Sequence, residues 1–154
     1  MDCHLYSIPG EKGTLHLLSP LSKEQLSGRP SKSEFFLGRL LDPERGTEPE
    51  NISYNADFLV ILHEIVRDLM ATDRDVLEEA QQQPNGFVFI VDQRAPADQE
   101  VEKEDIIGIF LVNEKTTDAS RYRPNPDYRL IGKHGVALFP DKVEERLMER
   151  ILGE

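Results

Sequence analysis

The sequence predicts an α+β domain: an antiparallel sheet of three or more strands with helices packed on one face, preceded by a loop-rich N-terminal arm. Three observations carry this. Apolar residues recur at helical spacing between Phe58 and Leu69, and two continuous β-branched and aromatic runs follow at residues 87–91 and 106–112. Half of the ten prolines and half of the ten glycines fall within residues 1–52. Sequential strands set apart from the helices indicate α+β rather than a parallel βαβ arrangement.

The breakers of residues 1–52 make that arm mostly irregular, with a short strand at Thr14–Leu18 and a helix over Ser33–Leu41, where Ser31 and Glu34 have capping-box spacing. Residues 53–154 then supply a helix–helix–strand–strand–strand–helix core, and the whole chain, 1–154, reads as a single domain. Asn55 is a good N-cap, and Phe58, Ile61, Leu62, Ile65, Val66 and Leu69 form one buried face. Thr72 and Asp75 begin a second helix through Val76, Leu77 and Ala80, which Pro84-Asn85-Gly86 stops.

Phe87–Val91 and Ile106–Val112 read as strands covered on both faces, joined by the acidic connection Gln93–Asp105. A third, glycine-broken strand is expected over Tyr128–Ile131 and Gly135–Phe139. Asp141 and Glu144 begin a closing helix with Val143, Leu147 and Ile151 in a four-residue ladder. Phe58, Leu62, Ile65, Leu69, Phe89, Ile109 and Leu147 are expected to share one core.

Composition narrows the function classes. A net charge of -11 opposes general nucleic-acid binding and attraction to anionic lipid. No stretch approaches the apolar length of a membrane helix, and Met1-Asp2-Cys3-His4 lacks a signal-peptide pattern, so a cytoplasmic protein without a membrane partner is expected. Cys3 is the only cysteine, which excludes an internal disulfide. His63-Glu64-Ile65-Val66-Arg67 resembles a zinc-protease helix motif, but Arg67 stands at the second ligand position and a permanent cation cannot coordinate metal. His4 and His16 have no partners at ligand spacing. No nucleophile elbow, Walker loop or dinucleotide fingerprint is present. No catalytic residue, metal site or resident cofactor is therefore expected.

One feature breaks the acidic pattern. Between Ala119 and His134 four cations, Arg121, Arg123, Arg129 and Lys133, stand against the single acid Asp127. Tyr122 and Tyr128 interleave with them and His134 closes the segment. Arginine and tyrosine together suit recognition of phosphate, carboxylate or a protein surface. The leading reading is a noncatalytic interaction module that meets an acidic protein partner or a small anionic ligand through Arg121, Tyr122, Arg123, Tyr128, Arg129, Lys133 and His134. The same cations could instead bridge neighbouring carboxylates and hold the loop down. Asp98, Glu100, Glu102, Glu104 and Asp105 read as a solvated connection.

The stretch Arg129-Leu130-Ile131-Gly132-Lys133-His134 resembles the Arg/Gln-x-x-Gly-x-Gly/Ala loop of GNAT acyltransferases, with the preceding Glu104–Val112 strand in the place of that family's central hairpin. His134 stands where the pattern has glycine or alanine. The resemblance implies an acyltransferase-like enzyme whose backbone amides, at a helix N-terminus, hold the pyrophosphate of coenzyme A at residues 129–134.

Overall fold

Two segments of the N-terminal arm, joined through Glu11 and Lys12, pair over their whole length: β1 (His4–Gly10) lies antiparallel to β2 (Gly13–Ser19), from His4 opposite Ser19 to Gly10 opposite Gly13. The structure is a computed structural model that describes residues 1–153. β3 (Gly38–Leu40) and β4 (Ile52–Tyr54) extend this hairpin to a four-stranded antiparallel sheet in sequence order. The arm is thus turn-rich but far more regular than its breakers suggest. The expected strand lies inside β2, whereas the expected helix over Ser33–Leu41 does not form. Only a single 3-10 turn, Ser33–Phe35, occurs there, and no side chain caps it. The reason is periodicity: Gly38 and Leu40 are buried on either side of exposed Arg39, a spacing of two that only a strand can satisfy. A four-residue helix, α1 (Lys23–Leu26), carries the capping box, between Ser22 and Gln25.

The helical expectations hold more closely. α2 (Ala56–Met70) starts on Asn55, whose side chain accepts the Asp57 amide at 3.1 Å. It buries Phe58, Ile61, Leu62, Ile65 and Val66, while Met70 rather than Leu69 completes the buried face. Asp73, not Thr72, caps α3 (Arg74–Gln81) by accepting the amides of Asp75 and Val76. α4 (Asp141–Leu152) buries Val143, Leu147 and Ile151 against the core; Pro140 takes its N-cap position without a capping bond. Each fully buried leucine or phenylalanine here contributes on the order of 1.5–3 kcal/mol.

β5 (Asn85–Val91) and β6 (Ile106–Asn113) pair antiparallel, as their composition predicts. The third strand differs from expectation. β7 (Tyr122–Pro124) pairs with β6, placing Arg123 opposite Ile109 and Tyr122 opposite Phe110. Tyr128–Leu130 is not a strand, and residues 131–136 fold into a separate small hairpin, β8 (Ile131–Gly132) with β9 (Gly135–Val136). The glycines that seemed to interrupt one strand instead turn the chain back on itself.

The β5–β6–β7 sheet is covered on one face only. Val88, Ile90, Phe110, Val112 and Tyr122 point into the core. On the opposite face Phe87 and Phe89 are each 52% exposed, and Ile109 and Leu111 are half-buried. Phe89 and Ile109 therefore leave the predicted core. Alternation of burial along the antiparallel pair, interrupted only at Ile107–Gly108 beside the register shift, overrides the reading of continuous apolar runs as doubly covered strands. Leu18, Leu21, Leu37 and Leu40 from the arm join Phe58, Phe110 and Leu147 in one continuous buried cluster. Among the described residues no helix is long and apolar enough to cross a membrane.

Candidate functional site

The basic segment leaves the sheet at β7 and wraps the end of β5 and β6, and its two halves are held in opposite ways. The second half is organised by Arg94, a residue of the connection after β5 whose side chain is 3% exposed. A guanidinium has five N–H donors, and all five are used. Nε donates to Asp105 Oδ1 at 2.8 Å; Nη1 donates to the carbonyls of Leu130 (3.0 Å) and Gly135 (2.7 Å); Nη2 donates to those of Glu104 (3.1 Å) and Arg129 (2.5 Å). The Tyr128 ring lies 5.6 Å from the guanidinium carbon. Gly132 permits the close approach, since a Cβ there would stand 3.0 Å from Arg94 Nη2 and 3.2 Å from the Glu104 carboxyl.

Two fully buried carboxylates complete this knot. Asp92 accepts the amides of Arg94 (3.0 Å) and Leu138 (2.9 Å) on one oxygen and the Tyr128 hydroxyl (2.7 Å) on the other. Asp105 accepts Arg94 and His134 Nδ1, the latter at 2.7 Å. Burial works to raise the Asp105 pKa, but the hydrogen bonds from His134 and Arg94 outweigh it and hold the carboxyl below its ordinary value. An ionised Asp105 is acceptor-only, so Nδ1 of His134 carries the hydrogen. Burial, reinforced by Asp92, pushes the Tyr128 hydroxyl well up and keeps it a donor. The expectation that the acidic connection is wholly solvated fails at Asp105, which is fully buried.

Carboxylates also meet the remaining cations of this half. Arg129 lies 3.4 Å from Glu50 and 3.6 Å from Glu104, and Lys133 lies 3.0 Å from Glu102. The Lys133 amide donates to Glu104 Oε1 at 2.8 Å and that of Ile131 faces the Tyr54 hydroxyl at 3.4 Å. Residues 129–134 thus lead into and form the first strand and turn of a hairpin, with carboxylates alongside, and α4 begins only at Asp141. Open amides at a helix N-terminus, which a coenzyme A pyrophosphate would need, are not what this segment provides.

The first half is different. Arg121 and Arg123 form no ion pair with any described carboxylate, and Arg123 uses only Nη1, on the carbonyls of Ser120 and Tyr122. Arg123 lies in one cross-strand row with Ile109 and Phe89. Lys103, likewise without an ion pair among the described residues, joins Arg123, Phe89, Ile106, Ile109 and Pro124 around a hollow of about 250 Å³. Asn125 fixes the rim by donating to the carbonyls of Lys103 (2.8 Å) and Ile106 (2.7 Å).

Tyr122, between the two arginines, turns inward. Its hydroxyl meets His63 Nδ1 at 2.7 Å, and its ring lies over Gly108, where any Cβ would collide with it. Of the seven site residues expected from sequence, Arg123 is exposed and Arg121 half-buried, both without an ion pair, Tyr122 and Tyr128 are buried, and Arg129, Lys133 and His134 face the protein's own acids. Sequence reasoning missed Asp92, Arg94 and the exposed phenylalanines. The only signal for the first two was their position at the end of a buried strand. Among the described residues no group of three or more histidine, cysteine or acidic side chains is arranged to hold a metal. No family model matches the chain, and no curated protein or solved structure shows significant similarity to it.

Proposed function

We propose that the protein is a noncatalytic interaction module that binds an acidic partner carrying apolar side chains. The contact surface is the outer face of the β5–β6–β7 sheet together with Arg121 and Arg123. The observation that carries this reading is the coincidence, on the sheet face that exposes Phe87 and Phe89, of Phe89 with Lys103 and Arg123, two cations without an ion pair among the described residues. Exposed apolar patches rimmed by polar groups mark interaction sites. An acidic partner fits because the local cations oppose it in sign, while a second copy of this chain, at -11, would be repelled.

The test is selection from a displayed random-peptide library against the folded protein. Selected peptides are expected to combine aspartate or glutamate with aromatic residues. They should bind the Arg121→Glu, Arg123→Glu double variant at least about tenfold more weakly, with its melting temperature nearly unchanged, since Arg123 is exposed, Arg121 is half-buried, neither forms an ion pair, and surface charges contribute about 0–1 kcal/mol to stability. Binders that hold the double variant as tightly as the wild type would overturn the assignment.

A further inference from the structure

Behind the rim formed by Pro124, Asn125 and Pro126, on the side away from the exposed sheet face, lies a second cleft of about 500 Å³. One wall is a single stripe of α2: Ala56, Leu59, Val60 and His63 follow at helical spacing. The other is the chain from Tyr122 to Tyr128. Besides His63 and Tyr122 the polar members of the lining are Asn125 and Tyr128, whose side-chain groups are taken by the Lys103 and Ile106 carbonyls and by Asp92, and Glu64 and Arg67, which are ion-paired. Glu64 pairs with Arg150 at 3.0 Å and Arg67 with Asp68 at 2.8 Å.

His63 and Tyr122 bring hydrogen bonding to this wall without bringing charge. Burial pushes the Tyr122 hydroxyl pKa up and the His63 imidazole down to about 4, so both are neutral at physiological pH. Nδ1 of His63 is taken by Tyr122, while Nε2 bonds to no described group. Nε2 is also not sealed in, since no unpartnered side-chain nitrogen or oxygen is buried among the described residues. It is therefore solvent-accessible, on a residue that lines the cleft. In one tautomer Nε2 is a donor and in the other an acceptor. The complement that serves either tautomer is a hydroxyl group, which both donates and accepts.

We infer that the cleft between α2 and residues 122–128 binds a small uncharged aromatic alcohol or phenol, its ring against Leu59, Val60 and the prolines and its hydroxyl on His63. The size falls within the range of ligand pockets, about 300–1,000 Å³. Beside Leu59, Val60 and the prolines no charged group lies unpaired, since Glu64 and Arg67 are each in an ion pair, and this disfavours a carboxylate or ammonium ligand on that wall. This inference is independent of the acidic-partner reading, because it uses neither Arg121, Arg123 nor the exposed phenylalanines.

The test uses p-cresol as the probe, with toluene and p-toluate as analogues of the same shape lacking, respectively, the hydroxyl and the neutrality. Methyl NMR signals of Leu59 and Val60 and the ring signals of His63 are followed through each titration. Saturable p-cresol shifts confined to these residues are expected, with both analogues at least about tenfold weaker. His63→Phe should reduce p-cresol to the level of toluene. Val60 is 57% exposed, so Val60→Trp should fill the cleft and abolish the shifts while the protein stays folded. That variant should still bind the acidic peptides, which separates failure of the cleft from failure of the sheet face. No saturation at about 10 mM p-cresol, toluene binding as tightly as p-cresol, or shifts that persist in Val60→Trp would each overturn the proposal.

Discussion

The two halves of the basic segment carry similar residues and meet different fates. In residues 129–134 every cation faces a carboxylate, and the backbone is gathered around a buried arginine of the opposite loop. In residues 121–123 neither arginine forms an ion pair with a described carboxylate, and Arg123 borders an uncovered apolar surface. Local charge reversal in a sequence therefore says that acids and bases will sort themselves, not which cations remain available. Availability depends on whether the folded chain brings carboxylates alongside.

The largest expected effect that can break this comparison is at the knot. Arg94→Ala would leave Asp92 and Asp105 buried without their counter-ion and would remove one donor from each of four carbonyls, of which those of Glu104 and Leu130 keep the Arg129 and Ala137 amides. A loss of about 3–5 kcal/mol is expected on denaturant titration. Arg94→Lys should recover only part of it, because an ammonium cannot reproduce the five-donor fan. A loss below about 1 kcal/mol would show the second half to be held by something else.

An intermediate effect is expected at His63. Its folded-state pKa is depressed from 6.5 to about 4, so between those values the unfolded chain binds the proton and the folded one does not. The stability contributed by keeping this ring neutral is complete above about pH 6.5 and is lost as the pH falls toward 4. Denaturation midpoints of the wild type should fall through that window, and those of His63→Phe should fall less. Identical slopes would assign the dependence to other groups.

The smallest effect is expected at Lys133. Its side chain is 68% exposed and its partner Glu102 39% exposed, so solvent screens the pair. Lys133→Ala should change stability by less than about 1 kcal/mol. A larger loss would place Lys133 with Arg94 as a structural member of the knot.

What the sequence made legible follows from which forces are local. The α2 face, the capping role of Asn55 and the pairing of β5 with β6 rest on periodicity and nearest-neighbour chemistry, and they are as expected apart from the exchange of Leu69 for Met70. Gly38-Arg39-Leu40 is too short for its period of two to stand out beside a helix-like cap. The choice of Tyr122–Pro124 over Tyr128–Ile131 as third strand depends on Gly108, which makes room for Tyr122 across the sheet. Arg94 gives least warning of all: its five partners lie 10 to 41 residues away, and nothing in its immediate surroundings distinguishes it from a solvated loop arginine.

Those long separations bear on time as well as on free energy. The guanidinium cannot be fully satisfied until the 104–105 and 129–135 segments have both arrived, so its complete set of bonds is expected to form late in folding. Interactions absent from the folding transition state slow unfolding without hastening folding. In a chevron experiment the loss in Arg94→Ala should therefore appear in the unfolding limb, with the folding limb nearly superposed on that of the wild type. Arg94 then acts as a latch, setting how long the native state lasts rather than how quickly it is reached.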